Sequence, residues 1–316
     1  MHPFKEALLL AATLACTQAS AACGPAPAVV RDIDANGYYS DSRHSIVDPV
    51  RKARNEAAVR PVNDYLDGVA RAANAWQRGG AAQDARCALG WMAAWADQDG
   101  LLGQMTTEQS WYTRKWTLAG LALSYARVRA AATPAERARI DAWLLRLADA
   151  TIRHADAHKG VRNNHYYWEG LAVTATGAVT GDARCLDWGR KVFDHAMGQV
   201  RADGALPLEL ARGRKALSYH LYAAAPLVAM ASILDLQAPA LDRLVAYALA
   251  GVADPAPLER ETGVEQERQA GTPGWLAFYL RHGGKVAPAP AIPARNWDAR
   301  MGGDRNLANP LEHVRG

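Results

Sequence analysis

Cysteine is scarce in this sequence of 316 residues, which contains only four. The sequence has no CxxC pair and no Cys/His spacing typical of a structural zinc site. His154 and His158 could be read as metal ligands, but they fall at a predicted helix end, where the helix dipole favours histidine. No HExxH motif or second cluster accompanies them. We therefore predict that the protein binds no metal.

Other signatures are also missing. There is no Walker loop, no GxGxxG after a strand and no GxSxG. The sequence therefore lacks the usual motifs of nucleotide-binding proteins and α/β-hydrolases. Strong alternation of polar and apolar residues is absent, which argues against a β-sheet. The net charge is only +4, and the basic residues are dispersed rather than clustered for nucleic acid. We predict an all-α protein with no cofactor and no nucleic-acid partner.

The N-terminus predicts a signal peptide over residues 1–21. Lys5 precedes the apolar segment 7–16, and Ala19-Ser20-Ala21 fits the small-x-small cleavage rule. A lipoprotein signal would need Leu three residues before its cysteine, where Thr13 stands. The run is too short to span a bilayer, and we expect no later membrane helix. The mature protein is expected in the periplasm.

Removal of residues 1–21 leaves three cysteines, Cys23, Cys87 and Cys185, which allow one disulfide and one free thiol. A bridge between Cys23 and Cys87 would tie the N-terminal segment to the body of the protein. Cys185, in a helical context, would then stay free.

Helix-forming residues are abundant, since the chain is rich in Ala, Leu and Arg. Asp48-Pro49 and Thr133-Pro134-Ala135-Glu136 predict helix starts, the second as a capping box. About ten helices are predicted, at 48–60, 62–78, 81–97, 106–131, 134–155, 163–179, 183–199, 209–234, 239–250 and 275–281. Such a succession suits an α/α barrel or toroid, in one domain over 22–316. We expect an extended arm over 24–47 and a tail over 283–316 that wraps the outside.

The first candidate motif, Asn163-Asn164-His165-Tyr166-Tyr167-Trp168, opens the most apolar helix. An asparagine at a helix start is an ordinary N-cap. A second asparagine, a histidine and three aromatics at the mouth of an interior helix favour a rim that binds sugar and carboxylate.

The second motif, Trp111-Tyr112-Thr113-Arg114-Lys115-Trp116, interleaves aromatic and cationic residues. These residue types suit stacking on a sugar ring and pairing with its carboxylate. The alternative, that the aromatics belong to the core, stays open.

The third motif, from Arg212 to Tyr222, holds three cations, a histidine and two tyrosines. In a helix, Lys215, Tyr219 and Tyr222 lie on one face, where an ammonium is expected to lower the pKa of a phenol. Pro226 removes the amide that would bond the Tyr222 carbonyl, which predicts a kink. The alternative is a core helix with a snorkelling lysine.

Amides, cations and phenols together favour β-elimination on a uronic acid polymer over hydrolysis. Neutralising the carboxylate stabilises the enolate that forms when C5 loses its proton, and a phenol can take that proton and return one to O4. Hydrolysis by a carboxylate pair stays open, because acidic residues are available: Asp97, Asp99, Glu108, Glu169 and Glu209.

Five motifs, in order within about 23–305, carry a family resemblance: CALGW at 87–91, RKW at 114–116, NNHYYW at 163–168, LPLEL at 206–210 and ALSYHLY at 216–222. Together they resemble polysaccharide lyase family 5, the periplasmic alginate or poly(β-D-mannuronate) lyases. The resemblance implies an incomplete α/α barrel without a metal, and the family's cysteine pattern supports the Cys23–Cys87 bridge.

The resemblance also implies site residues. Asn164 and His165 would neutralise the substrate carboxylate together with Lys215, and Tyr222 would carry the proton. The arm at about 36–50 would form a lid over the cleft. Further substrate contacts are expected at Arg43, His44, Trp111, Tyr112, Arg114, Tyr166, Trp168, Arg214, Tyr219 and His220.

The sequence departs from the family at positions expected to contact substrate. Lys215 stands where the family has arginine, so a point charge replaces a bidentate fork. Arg43 stands near a family lysine, and His44 where the family tends to have tyrosine. We therefore expect poly-mannuronate as the main substrate of a monomeric enzyme, with polyglucuronate or hyaluronan as alternatives. The rival interpretations are a hydrolase on the same barrel and a non-catalytic periplasmic polysaccharide-binding protein.

Overall fold

Helices make up most of the chain in the computed structural model, which describes residues 23–288 and 290–313. The predicted signal peptide, 1–21, lies outside the described residues. Within them the α-helices are α1 (Pro49–Gly79), α2 (Ala82–Asp97), α3 (Glu108–Val128), α4 (Pro134–Ala157), α5 (Asn164–Thr180), α6 (Ala183–Gln199), α7 (Pro207–Leu210), α8 (Ala216–Leu234), α9 (Pro239–Ala253), α10 (Ala256–Thr262) and α11 (Leu276–Arg281). Strands β1 (Trp297–Asp298) and β2 (Gly303–Asp304) pair antiparallel, and 3-10 turns cover Arg129–Ala131, Gly213–Lys215 and Ala299–Met301.

The long helix α1 begins where the sequence predicts and continues where it predicts a break. The Asp48 side chain accepts hydrogen bonds from the backbone at the helix start, which satisfies donors that have no intrahelical partner. The helix then runs through Pro61 without ending. Val59 and Val62, on either side of the proline, are buried in the core. Packing of this face therefore outweighs the one backbone hydrogen bond that proline removes.

Most of the other predicted helix starts and ends are confirmed by the structure. The capping box predicted between Thr133 and Glu136 is present at the start of α4. Gly181 ends α5 in the left-handed conformation, with φ of 81°, which glycine adopts without steric cost. The short helix α10 lies outside the ten predicted helices; Pro255 precedes it, and Leu258 is buried.

The helices form two layers. The inner helices α1, α3, α5 and α8 pack against one another in succession, and the outer helices α2, α4, α6 and α9 pack behind them. Helices α3, α5 and α8 are buried around most of their circumference, as expected for helices apolar on all sides. The all-α prediction and the incomplete α/α barrel are confirmed.

One helical stretch, Gly213–Leu234, is long and apolar enough to cross a membrane by length and composition, with a mean hydropathy of 1.4. The expectation that no such stretch follows the signal peptide is therefore wrong. However, 72% of its apolar window is buried inside the protein, because α8 packs against α5, α9 and α11. Its composition is that of a central core helix.

The C-terminal hairpin, residues 297–304, is integrated into the barrel. Asn74 on α1 donates to the Gly302 carbonyl at 2.8 Å and accepts the Asp304 N–H at 3.0 Å. Met301, between the strands, is fully buried. The prediction that this part of the tail only wraps the outside is wrong, because buried polar and apolar contacts anchor it beside the inner helices.

The N-terminal arm, residues 23–48, is fastened along α2. Cys23 and Cys87 form the expected disulfide, and Cys185 is a buried free thiol. The indole nitrogens of Trp91 and Trp95 donate to two arm carbonyls at 3.0 and 3.1 Å. The arm thus reaches α1 along a fixed path over the barrel.

Candidate active site

A cavity of about 540 Å³ opens where the N-terminal ends of α3, α5 and α8 meet the N-terminal arm. We call it the main cavity. The structure brings seven predicted site residues into its wall: His44, Tyr112, His165, Tyr166, Lys215, Tyr219 and Tyr222. Concave sites of this size with convergent polar groups are typical of ligand binding.

His165 occupies the first turn of α5, and its imidazole is neutral. The Asn163 side chain caps the helix by accepting the His165 N–H at 3.1 Å. The Tyr112 ring stacks on the imidazole with centroids 3.6 Å apart. Burial, followed by the charges of Lys115 and Arg212, holds the pKa of His165 well below its usual value. The Nδ1 atom is buried without a hydrogen-bond partner among the described residues.

Asn164 lies behind the cavity wall instead of in it. Its amide nitrogen donates to both oxygens of Glu209 at 3.0 Å, and its backbone N–H donates to the same carboxylate at 2.9 Å. Both residues are fully buried. Both amide hydrogens of Asn164 are used by Glu209 in this structure, and its neutralisation of a substrate carboxylate stays a prediction. Asn164 joins α5 to α7.

Tyr222 presents a protonated phenol to the cavity. Its hydroxyl oxygen is buried and has no hydrogen-bond partner among the described residues. Burial raises the pKa of Tyr222 well above 10, and the cation that opposes this rise is Arg300. The prediction of a lowered phenol pKa is wrong, because loss of solvation outweighs the nearby positive charge.

The backbone of Tyr222 is held by Trp168. Pro226 leaves the Tyr222 carbonyl without its helical donor, and the Trp168 indole N–H donates to that carbonyl at 3.3 Å. The two rings lie 5.2 Å apart. Trp168 itself is buried, with 2% exposure. Trp168 does not line the main cavity, so its predicted substrate contact stays a prediction; in this structure it supports the residue that does face the cavity.

Lys215 lines the main cavity, but its charge is partly compensated. Its Nζ lies 2.7 Å from a Glu267 oxygen, and the neighbouring Arg214 also pairs with Glu267, at 3.6 Å. Arg214 is directed to this carboxylate and is not part of the cavity wall, so its predicted substrate contact is not supported.

The start of the lid predicted at 36–50 lies across the mouth of the cavity. The Tyr219 hydroxyl donates to the His44 carbonyl at 3.2 Å, and Arg212 donates to the Arg43 carbonyl at 3.4 Å. His44 lines the cavity, whereas Arg43 is exposed at its rim. These bonds connect the arm to the segment that carries Tyr222.

Three other predicted contacts do not line the main cavity: Arg114 and His220 are buried, and Trp111 is half-buried. Arg114 is 3% exposed, and its guanidinium lies 3.9 Å from the Trp111 ring centre. The Trp111 ring also stacks on the imidazole of His154, with ring centroids 3.9 Å apart. His220 is fully buried, accepts the Leu206 N–H and bonds the Ala216 carbonyl. The structure therefore does not bring Trp111, Arg114 and His220 into the cavity wall, and their predicted substrate contacts stay predictions.

Two important features of the site were missed in the sequence. A buried ion pair joins Lys115 and Glu169 at 3.3 Å, and the Lys115 ammonium also donates to the His165 carbonyl at 2.8 Å. The two partners lie on different helices and are 54 residues apart in sequence, so no local spacing indicates this pair. Arg300, from the C-terminal hairpin, also lines the cavity, and no sequence signal points to it.

The acidic residues do not form the pair that hydrolysis needs. Of the five candidates, only Glu108 and Glu169 line the main cavity, and Glu169 is committed to Lys115. Across 23–288 and 290–313, no group of three or more His, Cys, Asp or Glu side chains is arranged to hold a metal ion. Cations, an imidazole and a phenol dominate the site.

Comparison with known proteins agrees with this geometry. The sequence model described as alginate lyase matches residues 32–258. A polysaccharide lyase of Stenotrophomonas maltophilia is 40% identical over 312 residues, which cover 95% of this chain and 94% of that protein. An alginate lyase of Azotobacter vinelandii is 34% identical over 248 residues, which cover 72% of this chain and 66% of that protein.

Solved structures share the fold. A variant of alginate lyase A1-III in complex with a tetrasaccharide superposes with a TM-score of 0.77 at 24% identity, covering 93% of this chain and 86% of that one. Alginate lyase A1-III from Sphingomonas species A1 gives a TM-score of 0.69 at 23% identity, covering 95% and 87%. Because the family model spans well over half of the sequence, this chain belongs to the alginate lyase family and is a polysaccharide lyase.

Proposed function

We propose that this protein is a periplasmic lyase that cleaves β-1,4-linked polyuronates, with poly-β-D-mannuronate as the main substrate. Cleavage proceeds by β-elimination and leaves an unsaturated uronic acid at the new non-reducing end. The names of its relatives support alginate as the polymer. Export is supported by the signal-peptide pattern of 1–21 and by the Cys23–Cys87 disulfide, since such bonds persist in oxidising compartments.

One observation carries the proposal. The Tyr222 hydroxyl and the His165 Nδ1 are both buried, both lack a hydrogen-bond partner among the described residues, and both belong to residues that line the main cavity. Leaving a buried polar atom unpaired costs about 1–3 kcal/mol. A bound ligand that supplies the partners recovers this cost, so the two atoms mark where substrate chemistry takes place.

The charges in the cavity suit a uronate. Arg212, Lys215 and Arg300 line the same cavity, and a substrate carboxylate among them loses much of its negative charge to ion pairing. The C5 proton beside that carboxylate then becomes more acidic, because the enolate formed on its removal is stabilised by the same cations.

The starting protonation states suggest how the proton moves. Tyr222 is protonated and His165 is neutral in the free protein. When substrate fills the cavity, its carboxylate beside His165 favours the charged imidazole, the phenol proton passes to His165, and phenolate and imidazolium form together. The phenolate takes the C5 proton, the C4–O4 bond breaks, and the restored phenol donates a proton to O4. The imidazolium meanwhile adds to the neutralisation of the carboxylate, and it returns its proton to the phenolate when the product leaves, which restores both starting states.

Replacement of Tyr222 by phenylalanine tests this function. We expect Tyr222→Phe to abolish the rise in ultraviolet absorbance that accompanies the unsaturated product, while circular dichroism stays that of the helical wild type. Tyr247→Phe is the matched control, because the Tyr247 hydroxyl bonds Glu261 outside the main cavity. The panel of polymers is poly-mannuronate, poly-guluronate, polyglucuronate and hyaluronan. Full activity of Tyr222→Phe on all of them would remove Tyr222 from the chemistry, and saturated products would indicate a hydrolase.

A further inference from the structure

The buried ion pair between α3 and α5 contacts the residue that is proposed to accept the phenol proton. Its members, Lys115 and Glu169, have side chains that are 1% and 9% exposed. Glu169 lines the main cavity, and Lys115 lies behind its wall. Two buried charges are costly to desolvate, and apolar side chains of similar volume often stabilise a fold as well or better. Stability alone therefore does not account for a charged pair at this place.

Lys115 holds the backbone of His165. Its ammonium donates to the His165 carbonyl at 2.8 Å, from α3 to the first turn of α5. An ammonium has three donors, and a Glu169 oxygen lies 3.3 Å from the same nitrogen. Because Glu169 follows His165 by four residues, the two acceptors lie on one face of α5. One cation thus fastens two successive turns of α5 to α3.

Lys115 also contacts the ring that supports the His165 imidazole. Its Nζ lies 4.4 Å from the centre of the Tyr112 ring, and that ring stacks on the imidazole with centroids 3.6 Å apart. A cation–π contact of this kind is strongest where water is excluded. The backbone and the side chain of His165 therefore both depend on the position of one ammonium group.

Glu169 offsets the charge that Lys115 brings close to His165. Burial raises the pKa of Glu169, but Lys115 and then His154 outweigh burial and hold this pKa below its usual value, so the carboxylate is charged. The His154 Nδ1 lies 3.8 Å from the carboxylate. In the proposed reaction His165 becomes an imidazolium, which a neighbouring cation alone would disfavour. The carboxylate removes most of that opposition.

We infer that Lys115 and Glu169 are a positioning pair, which holds the His165 imidazole in place for proton exchange with Tyr222 and allows it to become charged. The inference rests on the proposed function, because it concerns the proton transfer proposed there. The pair acts through His165, so its loss should lower turnover rather than substrate affinity. A reacting group misplaced by about 1 Å can cost about 100-fold in rate.

An apolar replacement of the whole pair separates positioning from stability. Lys115→Met/Glu169→Leu leaves no buried charge unpaired, so we expect its midpoint of urea unfolding to stay close to that of the wild type. On poly-mannuronate, kcat should nevertheless fall about 100-fold, with KM unchanged. A wild-type kcat in the folded double variant overturns the inference, because the pair would then be merely structural.

The ion pair between Arg281 and Glu312 supplies the matched control. Its nitrogen and oxygen are 2.8 Å apart, its side chains are 19% and 0% exposed, and neither residue lines the main cavity. Arg281→Met/Glu312→Leu should therefore keep the wild-type kcat. A fall in kcat equal to that of Lys115→Met/Glu169→Leu overturns the inference, since loss of any buried pair would then have the same effect.

A single substitution decides the question if the double variant fails to fold. Glu169→Gln keeps an acceptor for the Lys115 ammonium and removes only the negative charge. We expect kcat to fall about tenfold, because the uncompensated ammonium disfavours the imidazolium, while KM stays constant. An unchanged kcat in Glu169→Gln overturns the inference.

A measurement without turnover keeps the inference distinct from the proposed function. Nitrogen-15 shifts of the labelled imidazoles, with His165 assigned by the signal missing in His165→Gln, report the tautomer and surroundings of the ring. They should change in Lys115→Met/Glu169→Leu, and unchanged shifts overturn the inference. If the wild type gives no unsaturated product from any polymer, the proposed reaction fails, whereas a changed His165 signal still supports the hold of the pair on this ring.

Discussion

The two sides of the main cavity differ in how they are built. Tyr222 and His165 belong to α8 and α5, inner helices that are buried on most sides. His44 and Arg300, by contrast, come from the N-terminal arm and the C-terminal hairpin, which have little regular structure. The comparison indicates that helices fix the groups proposed to react, whereas irregular segments cover the cavity and supply charge.

The helical side should give the largest losses. We expect His165→Ala to lower kcat by about 100-fold or more, because it removes both the proton acceptor and a neutralising group. KM should change much less, and His165→Gln, which keeps a polar side chain, should recover part of KM but not kcat. Initial rates on poly-mannuronate measure this. An unchanged kcat in His165→Ala would show that the imidazole takes no part in turnover.

Arg300, from the irregular side, should have an intermediate effect. Its charge lowers the pKa of Tyr222, so Arg300→Leu raises that pKa and reduces the phenolate available at a given pH. We expect kcat at neutral pH to fall about tenfold and the acid limb of the pH–rate profile to move to higher pH. Arg295→Leu, at an exposed position in the same segment, is the control. A lower kcat without a shifted profile would assign Arg300 to binding alone.

The contact between the two sides should give a smaller effect. Tyr219→Phe removes the hydroxyl that donates to the His44 carbonyl, and a net hydrogen bond contributes about 0.5–1.5 kcal/mol. We expect KM to rise about threefold and kcat to stay constant, in contrast to Tyr222→Phe one helical turn away. Amide hydrogen exchange over residues 38–46 should become faster. A fall in kcat instead would mean that the arm positions the reacting groups.

Protonation of His220 should have the smallest effect on catalysis, because its consequence is a change in folding stability with pH. Burial lowers the pKa of His220 from 6.5 to about 4, so the unfolded chain takes up a proton before the folded one does. Folding stability is therefore full above the unfolded pKa, falls as the pH drops below 6.5, and levels off near the folded pKa.

By about pH 5 the loss from this group is about 2 kcal/mol. Urea unfolding at neutral pH and at about pH 5 measures it, and His220→Gln should lose less stability over that interval than the wild type. An equal loss in both proteins would show that other groups govern acid unfolding.

Most of the fold was predictable because its signals are local. The Asp48 cap, the Thr133–Glu136 capping box and the Gly181 terminus each depend on residues a few positions apart. Pro61 misled the prediction, since whether a helix survives a proline depends on packing with distant elements. Apolar composition all round correctly marked α5 as an interior helix.

The site was predictable mainly in its helical half, with His44 as the exception from the arm. His165 and Tyr222 lie in distinctive motifs, but motif membership did not tell which neighbours face the cavity. Asn164 and His220 turn into the core, where Glu209 and backbone groups bind them. Arg300 belongs to a segment remote in sequence, and only the packing of the hairpin on α1 brings it to the cavity.

The hydrogen bond from the Trp168 indole to the Tyr222 carbonyl connects the helix that carries His165 to the helix that carries Tyr222. This hydrogen bond joins the two helices directly, and it can form because Pro226 leaves the Tyr222 carbonyl without a helical donor. A displacement of the arm would therefore leave the spacing between imidazole and phenol unchanged. A polysaccharide lyase built this way keeps the relative positions of these two side chains independent of the segment that covers its cavity.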